Sequence, residues 1–138
     1  MQLYCDGAYS RKPKSAGVGA TFSFNGKQYD LSLGVEPDDS NLVEMKAVSC
    51  ALMFLNQSVG DKVSKSMDVV VVTDSDYVER EAENSTDAWA NVELLFSRFK
   101  SVSLRVVKGH RGMKSHDSMV NEHVDRLAKK AMRAQQYV

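Results

Sequence analysis

Cysteine is nearly absent from this chain, with two among 138 residues. Cys5 and Cys50 sit inside apolar segments and form no C-x-x-C pair, so neither a disulfide framework nor a cysteine zinc site is suggested. Two small buried hydrophobes are expected instead. Long apolar runs are missing too: nothing approaches the roughly 18 residues of a membrane span. No basic segment followed by an apolar one opens the chain, and a cytoplasmic protein is the expectation. There is no linker, repeat or low-complexity stretch. At 43% hydrophobic and 26% charged, the sequence predicts a single globular domain over residues 1–138 with room for a core.

Net charge is zero, which conceals an asymmetry. Residues 1–97 hold 8 basic and 15 acidic side chains, whereas residues 98–138 hold 10 basic and 3 acidic. Such a split fits a surface for a polyanion with an acidic site elsewhere, and equally a solvated helix face.

Hydrophobic periodicity alternates between strand and helix. Residues 2–9, 16–25 and 27–35 read as strands, the last two joined at Asn25-Gly26, a strong hairpin signal. The stretch "PDDSN" offers Asp or Ser as a cap, and apolar positions at 43, 47, 48, 51, 52 and 55 predict a helix to about residue 57. Gly60 and "DKVSKS" read as a loop before a strand over 67–73. A short helix is expected from Ser75, another from "STD" to about residue 99, and a strand over 101–107. After the loop "GHRGMKSHDS", Val120, Val124, Leu127, Ala128 and Ala131 form the stripe of a closing helix. This order predicts an α/β fold with a mixed sheet.

Four carboxylates occupy unusual places in that scheme. "VVVVTDSDYV" is apolar enough for a strand buried on both faces, yet it delivers Asp74 at its end. Asp6 ends the first strand in the same way, and in open α/β sheets ligands bind at this edge. Two neighbouring parallel strands that both end in Asp bring like charges together, which suits a divalent cation. Glu44 interrupts a helical stripe that should face the sheet, so it needs a partner. Asp125 lies at the edge of the last helix's apolar stripe, one turn from Asn121 and Ala128. Singly, each acid can be explained as a turn residue, a cap, a complement to a helix dipole or a surface acid facing Arg126 or Lys129. Together, with no cysteine pairs, these oxygen ligands point to Mg²⁺ or Mn²⁺ rather than zinc.

In these pieces the chain resembles the type 1 ribonucleases H, which cut the RNA strand of RNA/DNA hybrids. The matching segments are "YCDGAY", "NLVEMKAV", "VVTDSDYV", "VVKGHRG" and "NEHVDRLAKKA", in the family's order and over nearly the whole chain. The resemblance implies a ribonuclease H-like fold: a five-stranded mixed sheet, three antiparallel strands then two parallel ones, flanked by helices. It implies that Asp6, Glu44, Asp74 and Asp125 hold two Mg²⁺ ions, with Mn²⁺ as a substitute, and that the products carry 5′-phosphate and 3′-hydroxyl ends. His110 matches the family's mobile histidine, a catalytic aid in proton transfer or product release. His116 and His123 match no such position and are expected to be structural or exposed. The alternative within the same fold is a non-catalytic nucleic-acid-binding domain.

The chain departs from the family around the substrate. Where many members have a pair of amides before the catalytic glutamate, this one reads Ser40-Asn41, so only Asn41 carries over as a minor-groove contact. Lys12-Pro13 replaces an asparagine-proline, and Lys12 and Lys14 become candidate phosphate contacts. Asp76 adds a negative charge beside the site, and Asn121 matches a position that helps orient it. The basic helix and loop with which many members grip DNA is missing between Asp74 and the "KGH" loop, and no N-terminal hybrid-binding domain is expected. Trp89, at helical spacing with Val92 and Phe96, reads as core rather than as a stacking platform. The expectation is a monomer that binds hybrid weakly and in a salt-sensitive way, helped by its basic tail or by a partner protein.

Overall fold

The computed structural model describes residues 1–107 and 115–136. Five strands form one sheet: β1 (Gln2–Arg11), β2 (Lys14–Phe24), β3 (Lys27–Gly34), β4 (Asp68–Thr73) and β5 (Ser101–Val106), in spatial order β3-β2-β1-β4-β5. The first three are antiparallel, while β4 pairs parallel to both β1 and β5. This is the mixed sheet expected from the sequence. The helices are α1 (Ser40–Val59), α2 (Asp61–Ser64), α3 (Asp76–Glu83), α4 (Asp87–Glu93) and α5 (His116–Gln135). None among the described residues is long and apolar enough to cross a membrane.

The valine run explains how the two layers share one strand. Val69 and Val71 join the core beneath α1, whereas Val72 joins Tyr4 and Val124 beneath α5, with Val70 packed beside them. Alternate side chains of a strand point to opposite faces, so a strand covered on both sides must be apolar at every position. The larger core gathers Leu3, Cys5, Val18, Phe22, Val48, Leu52 and Leu55 with Val78, Trp89 and Val92 from α3 and α4. Trp89 is therefore core, with Phe96 edge-on at 5.8 Å. Cys5 is buried, but Cys50 is only half-buried. The pair of fully buried cysteines expected from the sequence reduces to one.

Besides shifts of a residue or two at strand and helix ends, three segments differ from the sequence reading, each for a local reason. Residues 61–64 form a helical turn instead of a loop, because Asn56 Nδ2 donates to Asp61 Oδ1 at 3.1 Å and to Ser64 Oγ at 2.8 Å. The helix expected to reach residue 99 stops at Glu93 and tightens into a 3₁₀ turn at Phe96–Arg98. That turn tucks Phe99 into the core and lets Arg98 Nη1 donate to Asn56 Oδ1 at 2.9 Å. Finally, α5 takes in residues 116–118, because Ser115 and Ser118 form a reciprocal capping box at its start.

The seat of α5 is made by small residues on β2. A Cβ added at Gly19 would lie 2.4 Å from the Val124 carbonyl oxygen, and one at Gly17 would lie 2.4 Å from that of Ala128. The helix backbone thus rests directly on the strand. Gly19→Ala is expected to lower stability by about 1–3 kcal/mol through overpacking, read as a fall in thermal midpoint with circular dichroism otherwise native.

Candidate active site

Parallel pairing of β1 with β4 builds the site. Tyr4 lies opposite Val72, so two residues further along each strand Asp6 and Asp74 emerge as neighbours at the same sheet edge. Glu44 joins them from the second turn of α1, whose start is fixed by Asp39 accepting the Leu42 N–H at 2.9 Å. One carboxylate oxygen from each of Asp6, Glu44 and Asp74 lies within 4.8 Å of the others. Among the described residues no Lys or Arg forms an ion pair with any of the three.

Backbone and neighbouring polar groups hold this acidic cluster. The Gly7 N–H donates to Asp6 Oδ1 at 2.9 Å and to Glu44 Oε1 at 2.7 Å, locking strand to helix through one amide. Glycine is required there by space, since an added Cβ would lie 2.7 Å from Glu44 Oε1. The Ser75 hydroxyl caps α3 by accepting the Val78 N–H at 3.1 Å, and it works against the rise in the Glu44 pKa. Buried Asn121 donates through Nδ2 to Asp74 Oδ2 at 3.1 Å. Sequence reasoning misses Gly7 and Ser75 as supports of the site. Their only signal there is a small residue directly after each strand-ending aspartate.

Crowded, buried carboxylates cannot all ionise. Burial first, then the charges of Glu44, Asp74 and Asp125, raise the Asp6 carboxyl to about 9. Burial also raises Glu44, to about 7, against the favourable Gly7 N–H bond. Without a cation the pair retains a proton at neutral pH. A hard divalent cation suits this donor set, which offers only oxygens, excess negative charge and no internal counter-ion from the described residues.

The remaining candidates divide by place. Asp125 is not part of the three-acid cluster; its Oδ2 pairs with Lys129 Nζ at 3.0 Å, yet its charge still acts on Asp6. Asn121 reaches Asp74 rather than solvent. Asn41, at the start of α1, and Lys12 and Lys14, on the β1–β2 hairpin, are exposed. His110 lies outside the described residues. His116 is exposed and sits edge-on to Tyr4, and His123 Nε2 pairs with Asp30 Oδ2 at 3.0 Å; neither joins the acidic cluster.

The comparisons agree with this geometry. The family model described as RNase H matches residues 1–133. A protein named Ribonuclease H from Chromobacterium violaceum is 30% identical, the alignment covering 96% of this chain and 94% of that protein. Another, from Paramagnetospirillum magneticum, is 31% identical over 96% of this chain and 89% of its own length. Among solved structures, LC11-RNase H1 in complex with an RNA/DNA hybrid superposes with a TM-score of 0.77 at 20% identity, covering 98% of both chains. RNase H1 from Halobacterium salinarum gives 0.74 at 22% identity, covering 96% of this chain and 97% of that one.

The raised Asp6 pKa carries a signed prediction. An unfolded aspartate titrates near 3.8, so between there and about 9 the folded chain binds more protons than the unfolded one, and its stability falls as pH rises through that window. Asp6→Asn removes the penalty. In chelator-treated protein its thermal midpoint should exceed wild type by on the order of 5 °C at pH 8, with a smaller gain at pH 5. Equal midpoints at both values would show that Asp6 carries no buried charge penalty.

Proposed function

Given that the chain belongs to the ribonuclease H family and is a metal-dependent nuclease, we propose that it cuts the RNA strand of RNA/DNA hybrids endonucleolytically, leaving 5′-phosphate and 3′-hydroxyl ends. The observation that carries this reading is the convergence of Asp6, Glu44 and Asp74 at one sheet edge without a neutralising cation among the described residues. In this reading the three acids, with Asp125 as a fourth, hold two Mg²⁺ ions, and Mn²⁺ can replace them. Bound there, the metal supplies Lewis acidity towards the scissile phosphate and lowers the pKa of an attacking water.

The chain's own residues do the positioning. The Gly7 amide fixes Asp6 and Glu44 relative to each other before any ligand arrives, so little reorganisation is needed on binding. Asn121 restricts Asp74 from the second oxygen, the usual task of a group behind a metal ligand. Asp125 is released from Lys129 to join the cluster. His110 serves as the proton-transfer or product-release group. Asn41 and the hairpin lysines face the substrate, and selectivity comes from reading 2′-hydroxyls on one strand while tolerating deoxyribose on the other. The chain acts as a monomer in the cytoplasm, with a nucleic-acid-binding protein as a helper.

A labelled RNA strand paired to DNA, incubated with protein and Mg²⁺, should be cut only in its RNA. Plain DNA duplex should stay intact, and cleavage of both alike would sink the hybrid assignment. Asp74→Asn is expected to lower the rate on the order of 10³-fold or more, as loss of a charge-stabilising group does in nuclease-type sites. Asn121→Ala should weaken Mg²⁺ affinity or activity by about 10–100-fold, checked by calorimetry beside the rate.

A further inference from the structure

The charge asymmetry of the sequence becomes spatial in the fold. On one face of the sheet, α3 and α4 carry Asp76, Glu79, Glu81, Glu83, Asp87 and Glu93 against the single basic residue Arg80. The missing grip cannot be rebuilt there, since a phosphate backbone would meet like charge. The cations collect across the sheet. Arg126, Lys129, Lys130 and Arg133 are all exposed on the second half of α5, with no acid anywhere in residues 126–136. Among the described residues only Lys129 of these four has an ion-pair partner, Asp125.

The end of that helix is fastened to a second basic element. Gln135 Oε1 accepts the Ala16 N–H at 2.9 Å, and Gln136 Nε2 donates to Ser15 Oγ at 3.1 Å. Ser15 pairs with Ser10, and Lys14 with Arg11, so the tip of the β1–β2 hairpin lies beside the last turn of α5. The tip contributes Arg11, Lys12 and Lys14, all exposed. None of the three is ion-paired among the described residues. The surface starts beside the acid nearest the cluster on this helix: Lys129 and Arg133 stand one and two turns beyond Asp125, whose charge acts on Asp6. At a 1.5 Å rise per residue, Arg133 is about 12 Å along the axis from Asp125, a span of roughly three to four nucleotides.

We propose that the last two turns of α5 and the β1–β2 hairpin form one cationic shelf that holds the phosphate backbone of the hybrid, doing from the opposite face of the sheet what the absent basic helix does in other members. This rests on the hybrid-cutting function proposed above and names the surface that binds the substrate. The shelf needs no side chain from α3 or α4. Its cations are presented by two elements already locked together, so binding requires little ordering beyond the side chains themselves.

The test is a binding series with labelled hybrid across rising salt, using the full chain carrying Asp74→Asn to block cleavage. Two further double variants are made on that background, Lys130→Gln with Arg133→Gln, and Lys12→Gln with Lys14→Gln, beside Lys62→Gln on α2 as a control. Each double variant should reduce the slope of log affinity against log salt by about two, roughly 0.9 for each phosphate that is no longer neutralised. Affinity at low salt should fall roughly tenfold. The control should match its parent, and native circular dichroism is expected throughout because every altered lysine and arginine is exposed. Unchanged slopes in both double variants would overturn the shelf. If the wild-type chain still cut hybrid, the proposed activity would survive that result; a chain that neither bound nor cut hybrid would overturn both.

Discussion

Tyr4 lies opposite Val72, and two residues later on each strand the chain must seat Asp6 and Asp74 side by side with Glu44 leaning in from α1. Like charges in a partly buried pocket repel, and the fold gains nothing from the arrangement by itself. The surrounding structure is what holds this pairing in place. Both faces of β4 are packed with valine side chains, so the strand cannot shift to relieve the crowding. One amide, that of Gly7, contributes hydrogen bonds to two of the acids, and Asn121 restrains the third. Such a local conflict inside an otherwise consistent sequence is where function is expected.

Much of this is legible in the chain without coordinates. The valine run predicts a strand covered twice, and Val69 to Val72 do divide between two cores. Glu44 is conspicuous because it breaks an apolar stripe, and it does face the sheet. The element order and the turn at Asn25-Gly26 are likewise readable, since periodicity and turn chemistry are local properties. What escapes are features that depend on distant partners. No local pattern marks Asn56, whose side chain folds residues 61–64 into a turn and also receives Arg98. Gly7 reads as an ordinary turn glycine until α1 is seen to press against it. The pairing of Asp125 with Lys129 is one of several explanations open in the sequence, and only the rotamers choose it.

The two faces of the sheet carry different work. The α1 face is the thicker layer, where α3 and α4 add Val78, Trp89 and Val92 to the main core. The α5 face is thin: among the described residues its buried cluster is Tyr4, Val72 and Val124, and the helix is set directly on glycine. A helix held so close to a strand moves with it as one body, because packed interiors transmit displacement rather than absorb it. Asn121 and Asp125 therefore keep their distance from β1 and β4 without a loop between them to introduce slack.

The position of α5 in chain order has a consequence for synthesis. Protein chains emerge from the ribosome N-terminus first, and the sheet strands with α1 to α4 precede α5 by the whole β5–α5 connection. Until α5 docks on Gly17 and Gly19, Asp74 lacks its Asn121 restraint and the second face of the valine strand is open to water. A nascent chain thus carries three acids with no finished cage around them. The site is completed by the last described helix, so competence arrives in one step, when α5 has emerged behind the sheet and settled on the glycines of β2.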